Sequence, residues 1–227
     1  MTWDKRYFVR EFTAELPAQE IVDRITGIVN YIPSQVSNND HFWILLTPEH
    51  KHIKEWLVDN IHYHQQQQHK LLKENFAHLI DAPYVLHCAY NKIIVDQADK
   101  MRYVGRFQGN AALNGQRAFH FQYGNALFGA GALVCEIVHS GLDSTVIACT
   151  EGYQTDKEQK RVEYKKLLSD SFPRLQDLNL DPSLSIGFGH GVHHTTTNEV
   201  LENEHGHQWY SYKNSHKSPN LVTAQKN

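Results

Sequence analysis

Residues 126–153 read ALFGAGALVCEIVHSGLDSTVIACTEGY, and this stretch contains three consecutive structural signals. Apolar side chains occupy nearly every side of Ala126–Ser140, which predicts a helix buried in a core or at a subunit interface. Gly141 is placed to end that helix, because glycine adopts the left-handed conformation of a helix C-cap at little cost. Ser144–Cys149 then predicts a strand, and a Glu151-Gly152 turn follows it.

Helices and strands alternate along the rest of the chain. Apolar residues at helical spacing predict a helix over 19–32, with Pro17 near its first turn and Pro33 at its end. Further helices are predicted at 49–80 and 159–168, strands at 41–47, 82–90 and 183–189, and an irregular excursion or short helix at 91–113. This alternation predicts an α+β or α/β sandwich with a central sheet.

Length and composition favour one large globular domain. The chain has 227 residues, 41% of them hydrophobic and 21% charged, which argues against wholesale disorder. Lysine and arginine number 22 against 25 acidic residues, so the chain lacks the broad basic field of a general nucleic-acid binder.

The apolar stretch 126–138 contains Glu136 and is too short to span a bilayer. The charged start MTWDKRYF and three scattered cysteines without a CxxC pair favour a cytoplasmic protein.

Common catalytic and metal motifs are missing from the sequence. It contains neither the GxxxxGK[ST] loop of nucleotide hydrolases nor the GxSxG turn of serine hydrolases. The segment GFGHGV at 187–192 lacks the third glycine of a dinucleotide fingerprint and lies near the end of the chain. The 16 histidines form no HExxH pair and no set with cysteine, so we predict no metal site.

A different set of features occurs in a consistent order. The basic segment 5–12 (KRYFVREF) precedes the first helix, and Pro33-Ser34 opens the loop before the first strand. Asn75 precedes the second strand, and Glu151-Gly152 follows the third. Over residues 5–190 this order resembles the nitroreductase family of FMN-dependent oxidoreductases, and within it the oxygen-insensitive NAD(P)H nitroreductases and flavin reductases.

The resemblance implies an α+β fold with a central, mostly antiparallel sheet flanked by helices. It also implies a tight homodimer of the domain-swapped type, with FMN at the interface and Pro33–Gln35 supplied by the partner subunit. Residues 1–190 would form the FMN-binding domain, and 191–227 a polar, histidine-rich extension of it. Because the flavin carries the redox chemistry in such proteins, we expect no side-chain nucleophile or acid–base pair.

The resemblance further assigns residues to FMN. Arg6 matches the phosphate-binding arginine and Arg10 a basic residue near the ring, and guanidinium groups suit a phosphate dianion. Asn75 and His78 match positions at the pyrimidine edge, and Glu151-Gly152 matches the turn beside flavin N5. The full predicted set is Arg6, Phe8, Arg10, Pro33, Ser34, Gln35, Ser37, Asn75, His78, Glu151, Gly152 and Lys213.

Several positions depart from the family pattern. Phe8 stands where relatives carry a hydroxyl residue, and Ser37 stands where they carry an asparagine. Residues 199–204 (EVLENE) are acidic where relatives carry a lysine and an arginine that clamp the phosphate. Lys213 or Lys217 would have to replace those two cations.

These assignments predict an enzyme that takes a hydride from NADH or NADPH at flavin N5 and reduces a nitroaromatic, a quinone or a free flavin with ping-pong kinetics. One alternative keeps FMN but changes the reaction, to flavin fragmentation or reductive dehalogenation. Another is a dimeric binding protein without FMN, which the acidic segment 199–204 motivates. For His78, an exposed position on a helix is an equally good interpretation.

Overall fold

The computed structural model describes residues 9, 11–32, 41–68, 78–91, 111–148, 157–192, 200–202 and 208–210. The helices are α1 (Gln19–Gly27), α2 (Lys51–Gln68), α3 (His78–Asp81), α4 (Ala111–His139) and α5 (Lys157–Ser171), with 3-10 helices at Ile28–Tyr31, Pro48–His50 and Pro173–Leu175. The strands are β1 (His41–Leu46), β2 (Tyr84–Asn91), β3 (Asp143–Ala148), β4 (Leu180–Gly189), β5 (Val200–Glu202) and β6 (Gln208–Tyr210).

β1 to β4 form one antiparallel sheet in the order β1-β2-β4-β3, and β5 pairs with β6 separately. The register is continuous from Leu45 through Leu86 to Ile186. A bulge interrupts the pairing of β2 with β4 between Cys88 and Ala89, and Ala89 pairs with Pro182 of β4 next to this bulge. Proline has no N–H to donate, so a bulge is a favourable place for it inside a sheet.

Helices cover both faces of the four-stranded sheet. Side chains alternate along each strand, so one set faces α2, α3 and α5 while the other faces α1 and α4. On β2, for example, Val85 packs in the first layer and Leu86 in the second. The prediction of an α+β fold with a mostly antiparallel sheet flanked by helices is confirmed.

The ends of the helices follow the predicted signals. Gly141 has φ 78°, and the backbone N–H of Leu142 donates to the carbonyl of Ile137 at 3.1 Å, as in a Schellman cap of α4. Ile32, directly before Pro33, is extended with ψ 123°, because a following proline disfavours helical geometry. The predicted helix 19–32 is therefore α1 continued by one turn of 3-10 helix.

The structure differs from the predicted bounds in three places. α4 starts at Ala111, well before Ala126, since the intervening residues contain no proline to stop it. β4 starts at Leu180 and includes Asp181, a charged residue that an ion pair keeps inside the core. The predicted polar extension contains the β5–β6 pair. Among the described helices, none is both long enough and apolar enough to cross a membrane.

Candidate functional site

His78 is the residue of the predicted FMN-binding set that lies in the described part of the chain. The others lie outside the described residues: Arg6, Phe8, Arg10, Pro33, Ser34, Gln35, Ser37, Asn75, Glu151, Gly152 and Lys213. The described residues next to them in the chain show where those segments join the fold.

The chain directly after Arg10 is bonded to the residues that follow β4. The backbone N–H of Thr13 donates to the carbonyl of His190 at 2.8 Å. In the other direction, the N–H of Val192 donates to the carbonyl of Glu11 at 3.0 Å. The basic amino-terminal segment is therefore attached beside the residues that leave the sheet after β4.

Gly191 makes this attachment possible. A Cβ at this position would lie 2.7 Å from both methyl carbons of Val9 and 2.9 Å from Asp143 Oδ2. The N–H of Gly191 donates to the same Asp143 oxygen at 3.1 Å. A larger residue would push the amino-terminal segment away from the start of β3.

His78 lies at the start of α3 and is only 3% exposed. Its Nε2 is 2.9 Å from Oγ1 of Thr145 on β3, and the two groups form a hydrogen bond. The interpretation of His78 as an exposed helix histidine is therefore wrong. Its contact with the flavin ring stays a prediction.

Lys54 of α2 holds the other end of α3. Its ammonium group donates to the carbonyls of Ala82 at 2.6 Å and Pro83 at 3.3 Å, and the side chain is 1% exposed. Burial lowers the pKa of Lys54 to about 8, and the nearby charge of Asp81 raises it in partial compensation. The lysine supplies hydrogen bonds that these carbonyls would otherwise lack in the interior.

Two glycines of β4 bring α3 close to the sheet. A Cβ on Gly187 would lie 3.0 Å from Ala82 Cβ and 3.1 Å from Thr145 Cγ2. On Gly189 it would lie 2.8 Å from the ring of Pro83. These glycines of the GFGHGV segment thus serve close packing, which agrees with the rejection of a dinucleotide fingerprint.

Two other predicted segments leave the described part at defined points. β3 ends at Ala148, shortly before Glu151-Gly152. Ile32, which precedes Pro33, packs close to α4: a Cβ on Gly129 would lie 2.8 Å from Ile32 and 3.0 Å from Trp43. The loop predicted to reach a partner subunit therefore starts beside α4 and β1.

A buried polar cluster, His87 with Ser185 and Tyr164, lies under α2 and α5. The Nδ1 of His87 is 2.9 Å from Ser185 Oγ, and its Nε2 is 2.5 Å from the hydroxyl of Tyr164. Burial lowers the pKa of His87 to about 3, while a backbone hydrogen bond with Leu184 raises it in part, so the ring is neutral at pH 7. The cluster is enclosed in the core, which indicates a structural role.

A buried ion pair lies near this cluster. Arg161 of α5 binds Asp181 through two contacts, Nε to Oδ1 at 2.7 Å and Nη2 to Oδ2 at 3.1 Å. Tyr90 adds a hydrogen bond to Asp181 at 3.3 Å. Neither group was predicted from the sequence, although a histidine inside the apolar strand YVLHCAY was a signal for the first.

The described residues contain no group of three or more His, Cys, Asp or Glu side chains that could hold a metal ion. The polar groups described above are thus a buried neutral histidine, His87, a buried lysine, Lys54, and an amino-terminal segment hydrogen-bonded to the residues after β4. None of these forms a nucleophile with its own base.

Comparisons with known proteins place the fold. No family model matches the chain, and neither does any curated protein. Among solved structures, it is similar to NfrA2 from B. megaterium, with 17% identity, a TM-score of 0.54 and coverage of 93% of this chain and 74% of that one. It is also similar to a nitroreductase family protein from Streptococcus pneumoniae, with 17% identity, a TM-score of 0.52 and coverage of 87% and 92%.

A third similar structure is iodotyrosine deiodinase bound to FMN and 3-iodo-L-tyrosine. The identity is 16% and the TM-score 0.52, over 88% of this chain and 95% of that one. These similarities extend over 87–93% of this chain. The chain therefore has the nitroreductase fold.

Proposed function

We propose that the protein is an FMN-dependent oxidoreductase that uses NADH or NADPH to reduce an organic acceptor such as a nitroaromatic, a quinone or a free flavin. The observation that carries this proposal is the nitroreductase fold over most of the chain. The order of the predicted site residues in the sequence adds to it, and residues 11–13, directly after Arg10, are paired with 190–192 after the end of β4.

The end of β4 gives the basic amino-terminal segment a defined attachment. Residues 11–13 and 190–192 are paired there, so the chain directly after Arg10 has a fixed position. The hydroxyl of Thr13 is buried without a hydrogen-bond partner among the described residues. It could therefore donate a hydrogen bond to a ligand near the end of β4.

In this proposal Arg6 and Arg10 bind the phosphate and the ring edge, and Asn75 donates to the pyrimidine edge. Bound FMN supplies hydride transfer at its N5. The chain's own residues bind and orient the cofactor and exclude water around it. Since NAD(P)H and the acceptor would use the same binding face in turn, we propose ping-pong kinetics.

An apolar surface supports the proposal of a homodimer. Tyr31 is 84% exposed, and Leu127 and Phe128 of α4 are 45% and 64% exposed. Gly124 and Gly131 lie on the same exposed side of α4 and would let a second helix approach closely. We propose that a second copy of the chain covers this surface, next to the loop that follows Ile32.

Two alternatives stay open. The similarity to iodotyrosine deiodinase gives some support to a different flavin reaction, such as reductive dehalogenation. A dimeric binding protein without FMN is the other, since the segment 199–204, acidic where relatives carry two cations, includes the strand Val200–Glu202, and the replacement cation Lys213 lies outside the described part.

Flavin binding is the first test. Purified protein is titrated with FMN and, separately, with riboflavin, and binding is followed by the quenching of flavin fluorescence. We expect FMN to bind much more tightly than riboflavin, because only FMN carries the phosphate that the arginines would bind. Equal affinities would contradict the phosphate site, and no binding of either flavin would favour the binding-protein alternative.

Reduction is the second test. The FMN-loaded protein is mixed anaerobically with NADH or NADPH, and the visible absorbance of the oxidised flavin is recorded. We expect rapid bleaching and its reversal by a nitroaromatic or a quinone. A yellow protein that neither nucleotide bleaches would contradict the NAD(P)H reaction and favour another flavin reaction.

A further inference from the structure

We infer that the start of α2 is a pH-sensitive joint, in which protonation of His50 in mild acid opens the cap that connects β1, α2 and the end of α5. The joint lies on the α2–α5 side of the sheet, and neither its geometry nor its test depends on flavin binding. Opening of the cap is a local event, so this side of the protein loosens at acidic pH while the rest of the fold persists.

The cap is a capping box with a histidine in the place of the usual acidic or amide residue. Thr47, directly after β1, is the N-cap residue, and Pro48 opens the 3-10 turn Pro48–His50 that leads into α2. The backbone N–H of Thr47 donates to Nδ1 of His50 at 3.1 Å, and the Thr47 hydroxyl lies 2.9 Å from the same nitrogen. In the common form of this motif, a Glu or Gln side chain accepts the N–H.

This geometry determines the protonation state of the His50 ring. A backbone N–H can only donate, so Nδ1 accepts and the proton of the neutral ring is on Nε2. A second proton could bind only at Nδ1, where two N–H groups would then face each other. A glutamine at this position would stay an acceptor at every pH, whereas a histidine loses its acceptor when it becomes charged.

The surroundings of His50 disfavour a positive charge on its half-buried ring. Burial lowers its pKa most, Glu49 raises it, and His52 and Lys54 lower it further. Lys54 lies four positions along α2, on the same side of the helix, and is itself buried. The amino-terminal end of a helix is also the positive end of its dipole.

The same ring joins α2 to the end of α5. Phe172, directly after α5, stacks on His50 with the ring centroids 4.7 Å apart and an angle of 16° between the planes. Its neighbour Ser171 lies with its hydroxyl 3.2 Å from Nε2 of His52. The end of α5 therefore presents an aromatic ring and a hydroxyl to the two histidines, and neither group carries a negative charge that would stabilise a protonated His50.

Opening of the cap reaches further into the fold through Lys54. This residue lies one turn after His50, and its ammonium group donates to the carbonyls of Ala82 and Pro83 between α3 and β2. Helix α3 has only four residues and depends on tertiary contacts for its stability. A loosened first turn of α2 would therefore weaken the contact that holds the end of α3.

The direction of the pH effect follows from the lowered pKa of His50. The unfolded chain binds a proton near the ordinary value of 6.5, whereas the folded ring stays neutral to a lower pH. The stability that the cap contributes is thus complete above pH 6.5 and is lost as pH falls below it.

The test is hydrogen exchange of the Thr47 amide, measured by NMR in the 227-residue chain at pH 7.5 and pH 5. Rates are expressed as protection factors, which removes the intrinsic pH dependence of exchange. We expect Thr47 to be about three- to tenfold less protected at pH 5, because its hydrogen bond to His50 is lost. The amide of Ile21, which donates to the carbonyl of Ala18 at the start of α1, is the control in the same molecule and should not change.

Three variants separate the cap from other effects of acid. His50→Gln supplies an acceptor that does not titrate, so Thr47 should be equally protected at both pH values. His50→Leu removes the acceptor and keeps an apolar side chain against Phe172, so Thr47 should be weakly protected at both. His52→Gln changes the neighbouring histidine and should keep the wild-type response.

The protonation state of the ring is measured in the same samples from the nitrogen chemical shifts of the imidazole. We expect an unprotonated Nδ1 at pH 7.5 and a pKa of His50 below 6.5. A proton on Nδ1 at pH 7.5, a pKa at or above 6.5, or an equal loss of Thr47 protection in wild type and H50Q would each overturn the inference. Should H50L not fold, the comparison of wild type with H50Q decides.

Discussion

His87 shows at the scale of one residue how a polar group is accommodated in the core. It lies in the middle of β2, fully buried, with Ser185 on one side of its ring and Tyr164 on the other. Both ring nitrogens are hydrogen-bonded, which offsets most of the cost of removing the imidazole from water. Burial disfavours the charged ring, and the backbone hydrogen bond with Leu184 offsets this only in part, so the neutral form is favoured.

The buried His87 predicts that the protein loses stability in mild acid. Its pKa is lowered from 6.5 to about 3, so between these values the unfolded chain binds a proton that the folded chain does not. Stability is therefore lost as pH falls below 6.5, by up to about 1.4 kcal/mol per pH unit. We expect the free energy of unfolding in urea to be about 2 kcal/mol lower at pH 5 than at pH 7.5.

His87→Gln should reduce this pH dependence, because the amide does not titrate. The matched control is His52→Gln, which changes an exposed histidine on α2 and should keep the wild-type dependence. An unchanged slope in H87Q would show that other groups cause the acid sensitivity.

Arg6 is the second prediction at the residue scale, and it belongs to the proposed FMN site. Arg6→Ala should weaken FMN binding by about 1.5–3 kcal/mol, because a charge-assisted contact to the phosphate is lost. Riboflavin binding should not change. Arg174→Ala removes an exposed arginine after α5 and is the control. An R6A variant with wild-type FMN affinity would exclude Arg6 from the site.

At the scale of the elements, the pair Arg161–Asp181 joins α5 to the start of β4. Its side chains are 10% and 5% exposed, and the guanidinium group makes two contacts with the carboxylate. Removing one member leaves an uncompensated buried charge, whereas removing both leaves none. The ion pair therefore allows β4 to start at Leu180 and to include the charged residue Asp181.

The ion pair gives a prediction for stability. Arg161→Met should lower the free energy of unfolding by about 3–5 kcal/mol, and the double variant with Asp181→Leu should recover much of that loss. Lys166→Met is the control: Lys166 pairs with Asp170 at 2.6 Å on the surface, and its removal should cost about 0.5 kcal/mol or less. Urea denaturation measures all of these. If R161M lowers the free energy of unfolding no more than the double variant does, the stabilising role assigned to the buried ion pair is wrong.

At the scale of the whole molecule, the exposed surface of Tyr31, Leu127 and Phe128 suggests that one chain is not the complete assembly. Contiguous large apolar side chains on a surface are typical of an interaction site. The surface lies on the α1–α4 side of the sheet, opposite the side covered by α2 and α5. A dimer formed there would place the chain's most apolar helix at its centre.

The dimer is tested by one substitution. We expect wild-type protein to have the mass of a dimer in analytical ultracentrifugation, and Phe128→Glu to shift it toward the monomer, because dimerisation would bury the new charge. Val162→Glu, at a residue of α5 that is also exposed, should leave the mass unchanged. A wild-type monomer at micromolar concentration, or a dimer unaffected by F128E, would contradict the proposed interface.

The fold was largely predictable from local patterns. Short, mostly apolar segments predicted β1 to β4, and Gly141 and Pro33 predicted where helices end, because these two residues release or restrict the backbone by themselves. The bounds of α4 and β4 were less predictable. From the sequence, the charged residue Asp181 was expected to precede the strand. It lies inside β4 because it forms an ion pair with Arg161, twenty positions earlier in the chain.

The candidate site divides in the same way. Its residue types and their order along the chain, from Arg6 to Glu151-Gly152, come from the sequence alone, and so does the resemblance that gave them a role. The burial of His78 does not: the same residue fits an exposed helix equally well until β3 is placed beside it. Periodicity and turn residues are local properties and can be read from neighbours in the chain. The pairing of His78 with Thr145, and of residues 11–13 with 190–192, joins parts of the chain far apart in sequence, so only the tertiary structure determined it.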